Sequence, residues 1–256
     1  MSGAASELIV LGSCGAWPEP GRACAGFLLV HNRFRLVLDL GYGTASRLFA
    51  HCHDRLPDAV VVTHEHPDHC ADLSALGRAW HYTVQNATPP GQDPPRLPLH
   101  CTPGTLHRLE AMEPRPHPAS LFAVLDLGVA TEVGPFRLTP FLLPHHQPNF
   151  GVRLDAPGLS VAYTGDTGPS PILTELARDA DLFICEATLQ TPPPAGEPRF
   201  LMTAGEAGHW AAKAGARRLL LTHFWPGSDR EVSAAQAAAE FGGEILVADE
   251  GLTIAL

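Results

Sequence analysis

The chain has 256 residues, 45% hydrophobic and 17% charged, which fits a globular protein with a sizeable core and leaves roughly one to two domains open. Its net charge is −10, and Lys213 is the only lysine among 17 basic residues, so a polyanion such as tRNA is repelled at long range unless the arginines gather on one face. No apolar run approaches the roughly 18 residues of a membrane span.

The opening MSGAASELIVLGS has no basic region ahead of its apolar segment, which predicts no signal peptide and a cytoplasmic location. The six cysteines (14, 24, 52, 70, 101 and 185) are then expected as free thiols. Apolar runs predict strands at Glu7–Ser13, Gly26–His31 and Phe34–Asp39, a helix at Thr44–His53 and a buried strand at Ala59–Thr63. A helix over Ala71–Val84 follows, then a Pro-rich loop (Gln85–Arg96) and a short helix at Thr105–Met112. Strand patterns dominate from Phe122 to Thr164. The remainder alternates: helix near Ile172–Arg178, strand Leu182–Cys185, helix Ala204–Ala214, strand Arg218–Thr222, helix Glu231–Phe241 and two closing strands. No charge run or Ser/Gly linker divides the chain, so residues 1–256 are expected to form one domain, with the Pro-rich stretch Gln190–Arg199 a surface loop inside it.

Fourteen histidines are the compositional anomaly, and three stand in one segment, His64-Glu-His66-Pro-Asp68-His69. After a strand ending at Thr63, His64 and His66 project the same way, and Pro67 suits a turn that brings Asp68 and His69 round. Imidazole and carboxylate together suit zinc, with manganese or iron as alternatives. Further donors close other apolar strands: His145 or His146 after Phe141–Pro144, Asp166 after Val161–Gly165, and His223 after Leu219–Thr222. An α/β sheet places its functional groups at such strand ends.

These motifs, with His145-x-x-Pro-x-Phe-Gly151, Gly165-Asp-Thr167 and Thr222-His-Phe224, resemble the metallo-β-lactamase superfamily, and most closely its branch of tRNase Z and related phosphodiesterases. The resemblance runs from Leu11-Gly-Ser-Cys-Gly15 almost to the C-terminus. It implies an α/β fold, an αββα sandwich of two mixed β-sheets flanked by helices. It also implies two zinc ions, one held by His64, His66 and His145, the other by Asp68, His69 and His223, with Asp166 between them. His145 takes the role over His146 because it alone has Pro at +3 and Phe-Gly at +5 and +6; His146 is left as a neighbour. Asp39, before Gly41-Tyr-Gly43, resembles the family's buried acid beneath the metal loop, expected to hold ligand side chains through hydrogen bonds. Asp68 is the expected proton acceptor beside the attacking water.

The chain departs from tRNase Z in three places. Cys185, opening Cys185-Glu186-Ala-Thr188, stands where tRNase Z has a histidine thought to protonate the leaving group, and a thiol of pKa near 8.5 is a different acid. Leu201 replaces a second histidine, two residues before Thr203. Only 20 residues separate His145 from Asp166, too few for the tRNA-gripping arm of bacterial tRNase Z. The expectation is therefore a dinuclear hydrolase acting on a small or cyclic phosphodiester, with lactone or thioester hydrolysis as the alternative and a catalytically idle metal-bound module as a third reading. Trp17, then Trp80, His81 and Tyr82 on the helix after the metal loop, and Phe224 and Trp225 after the last ligand are candidate pocket walls. A small-molecule partner is expected, tRNA and membrane are not, and a homodimer is left open.

Overall fold

A computed structural model describes residues 6–256; residues 1–5, on which part of the leader reading rests, lie outside the described residues. The first sheet takes in β1 (Ser6–Gly12), β2 (Gly26–His31), β3 (Phe34–Leu40), β4 (Ala59–Val61), β5 (Leu97–Cys101), β6 (Phe122–Asp126) and the last strand, β14 (Thr253–Ala255), in the order β14-β1-β2-β3-β4-β5-β6. Its pairs are antiparallel up to β3 and parallel beyond. The second sheet takes in β7 (Thr131–Val133), β8 (Phe136–Leu143), β9 (Asn149–Ala156), β10 (Leu159–Tyr163), β11 (Leu182–Glu186), β12 (Arg218–Thr222) and β13 (Glu244–Val247), in the order β13-β12-β11-β10-β9-β8-β7. There β10 to β13 pair in parallel and β7 to β10 antiparallel.

Side-chain alternation along the strands builds the layers. Leu8, Val10, Phe27, Leu29, Leu36 and Leu38 face the middle and pack with Leu138, Val152, Leu154 and Tyr163 of the second sheet. Ile9, Leu11, Leu28, Val37 and Val60 face outward and bury Leu48 of α1 (Thr44–His51), Leu73 and Leu76 of α3 (Leu73–Trp80), and Leu109 of α4 (Pro103–Met112). Each such fully buried side chain contributes about 1.5–3 kcal/mol relative to exposure. On the far face lie α6 (Ile172–Leu176), α7 (Ala204–Ala214) and α8 (Arg230–Ala238). The architecture is the expected αββα sandwich of two mixed sheets.

Several boundaries differ from expectation for local reasons. The β4 strand stops at Val61 rather than Thr63, because the Thr63 N–H donates to the Asp39 carboxylate at 2.8 Å instead of to a strand. The turn at Pro67 is a one-turn helix, α2 (Pro67–Cys70), with proline at its first position, where its missing N–H costs nothing. The helix expected over Ala71–Val84 divides into α3 and a π turn, His81–Gln85. β5 and the short α5 (Pro118–Leu121) had no clear sequence signal; Pro98 inside Leu97-Pro-Leu-His-Cys101 obscures a strand that pairs on both sides.

Candidate metal centre

The site lies where strand ends of both sheets meet. His64 and His66 occupy the loop after β4, Asp68 and His69 sit on α2, His145 follows β8, Asp166 follows β10 and His223 follows β12. Their donor atoms form two groups, His64/His66/His145/Asp166 and Asp68/His69/Asp166/His223, each with all its atoms within 4.8 Å of one another. In the first, His66 Nδ1 lies 2.9 Å from His64 Nε2 and 3.1 Å from His145 Nε2, and Asp166 Oδ2 stands 3.7 and 3.6 Å from those two Nε2 atoms. In the second, Asp166 Oδ1 stands 3.2 Å from His69 Nε2 and 3.1 Å from His223 Nε2, with Asp68 Oδ2 3.3 Å from His223 Nε2.

The outward nitrogens show what the inward ones can do. Asp39 Oδ2 accepts from His69 Nδ1 at 2.7 Å, and the Phe200 carbonyl accepts from His145 Nδ1 at 3.0 Å. Thr188 gives its hydroxyl proton to Glu186 Oε2 at 2.6 Å, so its oxygen accepts from His223 Nδ1 at 2.8 Å. Thr63 likewise donates to Asp39 and receives His64 Nδ1 at 3.1 Å. Each of these four rings thus spends its N–H outward and turns a bare Nε2 inward, the arrangement in which outer partners orient metal-binding imidazoles. Acceptor nitrogens about 3 Å apart repel, and Asp166 Oδ1 is buried with no hydrogen-bond partner. A cation between them resolves both problems, and the imidazole-carboxylate donor set fits zinc or a neighbouring divalent ion.

The buried carboxylates and imidazoles also set one another's charge. Burial favours the neutral form of every group here, yet His223 and His69 outweigh it at Asp166, and His69 and His223 at Asp68, holding both carboxyls below the usual range. Burial, then the neighbouring His69, keeps His64 well below the ordinary histidine value. His69 is lowered by burial but carried well above it by Asp166, Asp39 and Asp68.

Backbone conformation aims these groups. Asp39 takes a left-handed φ of 56°, which breaks the alternation of β3 so that Leu40 packs outward with Val37, while the Asp39 carboxylate is left among Thr63, His69 and the Tyr163 hydroxyl at 2.7 Å. His223 is also left-handed, at 58°. Gly15 lies against it so closely that a Cβ there would come within 2.7 Å of the ring. The next residue, Ala16, donates its N–H to Asp68 Oδ2 at 2.7 Å.

The structure thus brings together the seven donor residues that the motifs single out, with Asp39 behind them. Glu186 also belongs to this surrounding: it binds Thr188 and the Thr167 N–H, and burial followed by the Asp166 charge pushes its carboxyl up to about 7. His146 is exposed and stacks on Phe200, its ring centroid 4.0 Å away and 5.4 Å from that of His145. Cys185 does not reach the donors. It is fully buried in the hydrophobic core, and burial drives its thiol well above the ordinary value. Phe224 is likewise buried, beneath the Arg230 guanidinium, whereas Trp17 and Trp225 are exposed and meet edge to face at 5.0 Å. Trp80 is occupied by a hydrogen bond to the Pro95 carbonyl, and Tyr82 is exposed. The motifs gave no hint of Tyr163, of the Ala16 N–H, or of Arg108, whose charge is felt at His66. Tyr163 reads in the sequence as one more apolar strand residue.

In the hairpin between His145 and Asp166, β9 and β10 pair directly through a Pro157-Gly158 turn, with no inserted arm. Among the described residues no helix is long and apolar enough to cross a membrane, and the six cysteines are free.

Residues 35–224 match the Beta-lactamase superfamily domain. An uncharacterized protein of Mycobacterium tuberculosis is 34% identical over 95% of this chain and 90% of its own length. The crystal structure of the metallo-β-lactamase fold protein YhfI from Bacillus subtilis superposes with a TM-score of 0.85 at 24% identity, covering 98% of this chain and all of that one. A ribonuclease Z of Myxococcus xanthus is 30% identical over 303 aligned positions, 98% of this chain and 97% of its own. That alignment is longer than the 256 residues here, so the ribonuclease carries insertions.

Proposed function

Because the chain belongs to the metallo-β-lactamase superfamily of metal-dependent hydrolases, we propose that it is a dinuclear phosphodiesterase acting on a small or cyclic phosphodiester in the cytoplasm. The observation that carries this is the split of Asp166, one oxygen toward each group of imidazoles, which would let it serve two cations at once and suits an in-line displacement at phosphorus. Two zinc ions, or manganese or iron, would supply Lewis acidity to the phosphoryl oxygens and make water nucleophilic near neutral pH.

The chain's own groups divide the remaining work. Asp68 is the more exposed carboxylate of the centre, 6% against 3% for Asp166, and it remains ionised, so it can orient the attacking water and accept its proton. Asp39 and Thr188 fix the rings of His69 and His223. Cys185 is enclosed in the core and presents no acid to the centre, which favours esters whose leaving oxygen needs little protonation. The short β9–β10 hairpin and the charge of −10 support a small substrate over tRNA. A turnover screen of metal-replete protein against aryl and cyclic phosphodiesters, lactones and thioesters tests the reading. Diester cleavage is expected; activity confined to lactones or thioesters would move the chemistry to carbon, and full metal content with no turnover would make this an idle module.

A further inference from the structure

Beside the second group of donors runs a groove of about 420 Å³, walled by Thr188, Gln190, Thr191, Trp225, Gly227 and Ser228 among others. It adjoins the metal centre on two sides: Trp225 meets Trp17, whose neighbour Ala16 donates its N–H to Asp68 Oδ2, and Thr188 backs His223 through Nδ1. None of its lining side chains is charged. Trp225 is 44% exposed and forms one aromatic patch with Trp17, itself 46% exposed.

The wall is fixed in advance. Trp17 meets the Trp225 ring at an interplanar angle of 83°. Glu19 Oε1 accepts the Gly227 N–H at 2.6 Å, and the Trp225 carbonyl accepts the Ser228 N–H at 3.0 Å. Trp17 and Glu19 belong to the loop whose Gly15 and Ala16 also back His223 and Asp68, so the groove and the centre share one support. Gln190 donates its amide to the Asp229 carbonyl at 2.7 Å, which holds the carboxamide plane and leaves its carbonyl oxygen as an acceptor. Ser228 has a buried hydroxyl with no hydrogen-bond partner. A rigid aromatic wall with polar edge groups and no charge is complementary to a flat, neutral, hydrogen-bonding ring.

Resting on the phosphodiesterase reading, we infer that this groove binds one ester substituent of the substrate, an uncharged planar heterocycle, with Trp225 as its stacking surface and Trp17 as the residue that positions Trp225. The two tryptophans set specificity and take no part in bond breaking.

The test compares thymidine 5′-monophosphate, phenyl phosphate and methyl phosphate as competitive inhibitors of bis(p-nitrophenyl) phosphate turnover by the metal-replete enzyme. All three present the same phosphate and differ only in the group offered to the groove. The thymidine and phenyl esters should bind more tightly than the methyl ester. Trp225→Ala should weaken the first two by roughly 5- to 100-fold, the range of one lost stacking contact, and leave methyl phosphate within twofold. Trp17→Ala should do the same more mildly. Equal affinity for all three esters, or an equal loss for all three in Trp225→Ala, overturns the subsite. If bis(p-nitrophenyl) phosphate is not hydrolysed at all, the phosphodiesterase reading fails instead, and calorimetric dissociation constants for the same three esters still decide the groove.

Discussion

Asp166 stands between two histidines of different strands, its Oδ1 3.1 Å from His223 Nε2 and its Oδ2 3.6 Å from His145 Nε2. A carboxylate in that position offsets the repulsion between two cations, and the neutral amide of Asp166→Asn, of equal size, does not. The variant should keep its circular dichroism spectrum and lose at least about 100-fold in kcat/KM, or roughly 2.7 kcal/mol of transition-state stabilisation. Unchanged turnover removes Asp166 from the centre.

Asp39 is the buried support of the metal loop, accepting from Thr63, His69 and Tyr163. Asp39→Asn keeps the volume but forfeits charge and acceptor capacity, and metal affinity should fall about 10- to 100-fold, as for other groups that orient a ligand from behind. Tyr163→Phe removes only one of the donors and should lower stability by about 1 kcal/mol with metal affinity nearly unchanged. Equal metal loss in both variants would show that Asp39 acts through folding alone. The measurement is competition with a chelating dye beside thermal melts.

Gly15→Ala places a methyl group within 2.7 Å of the His223 ring. His223 must shift, and the group containing it should lose metal first while the His64/His66/His145 group stays loaded. A full complement of metal and wild-type turnover would mean that the loop yields without disturbing His223.

Cys185 is enclosed in the core, so Cys185→His should lower the melting temperature without helping poor leaving groups. Aryl diesters should outpace alkyl diesters in the wild type and in Cys185→Ala by similar ratios. A Cys185→His enzyme that narrows that ratio would return an acid to this position.

The donor residues were legible because each is a short polar group directly after an apolar run, and such runs are what a sheet buries. The resemblance then separated His145 from His146, and the structure gives that choice a cause in the Phe200 carbonyl that holds His145 Nδ1. Three features were not legible. Cys185 and Glu186 are adjacent, and strand alternation sends only one of them toward the donors; nothing in LFICE says which. The Thr63 N–H is diverted by an aspartate 24 residues away, a contact between β3 and the loop after β4 that no local pattern records. The Trp17–Trp225 pair joins the two ends of the chain, and its exposure follows from the tertiary arrangement alone.

The central claim, two metal ions sharing Asp166, is tested most directly by elemental analysis of protein purified without chelator, wild type beside His64→Ala/His66→Ala. The wild type should approach two ions per chain, and the double variant, which keeps Asp68, His69, Asp166 and His223, should retain about one. A wild type that saturates at a single ion, or a double variant that still carries two, contradicts the account.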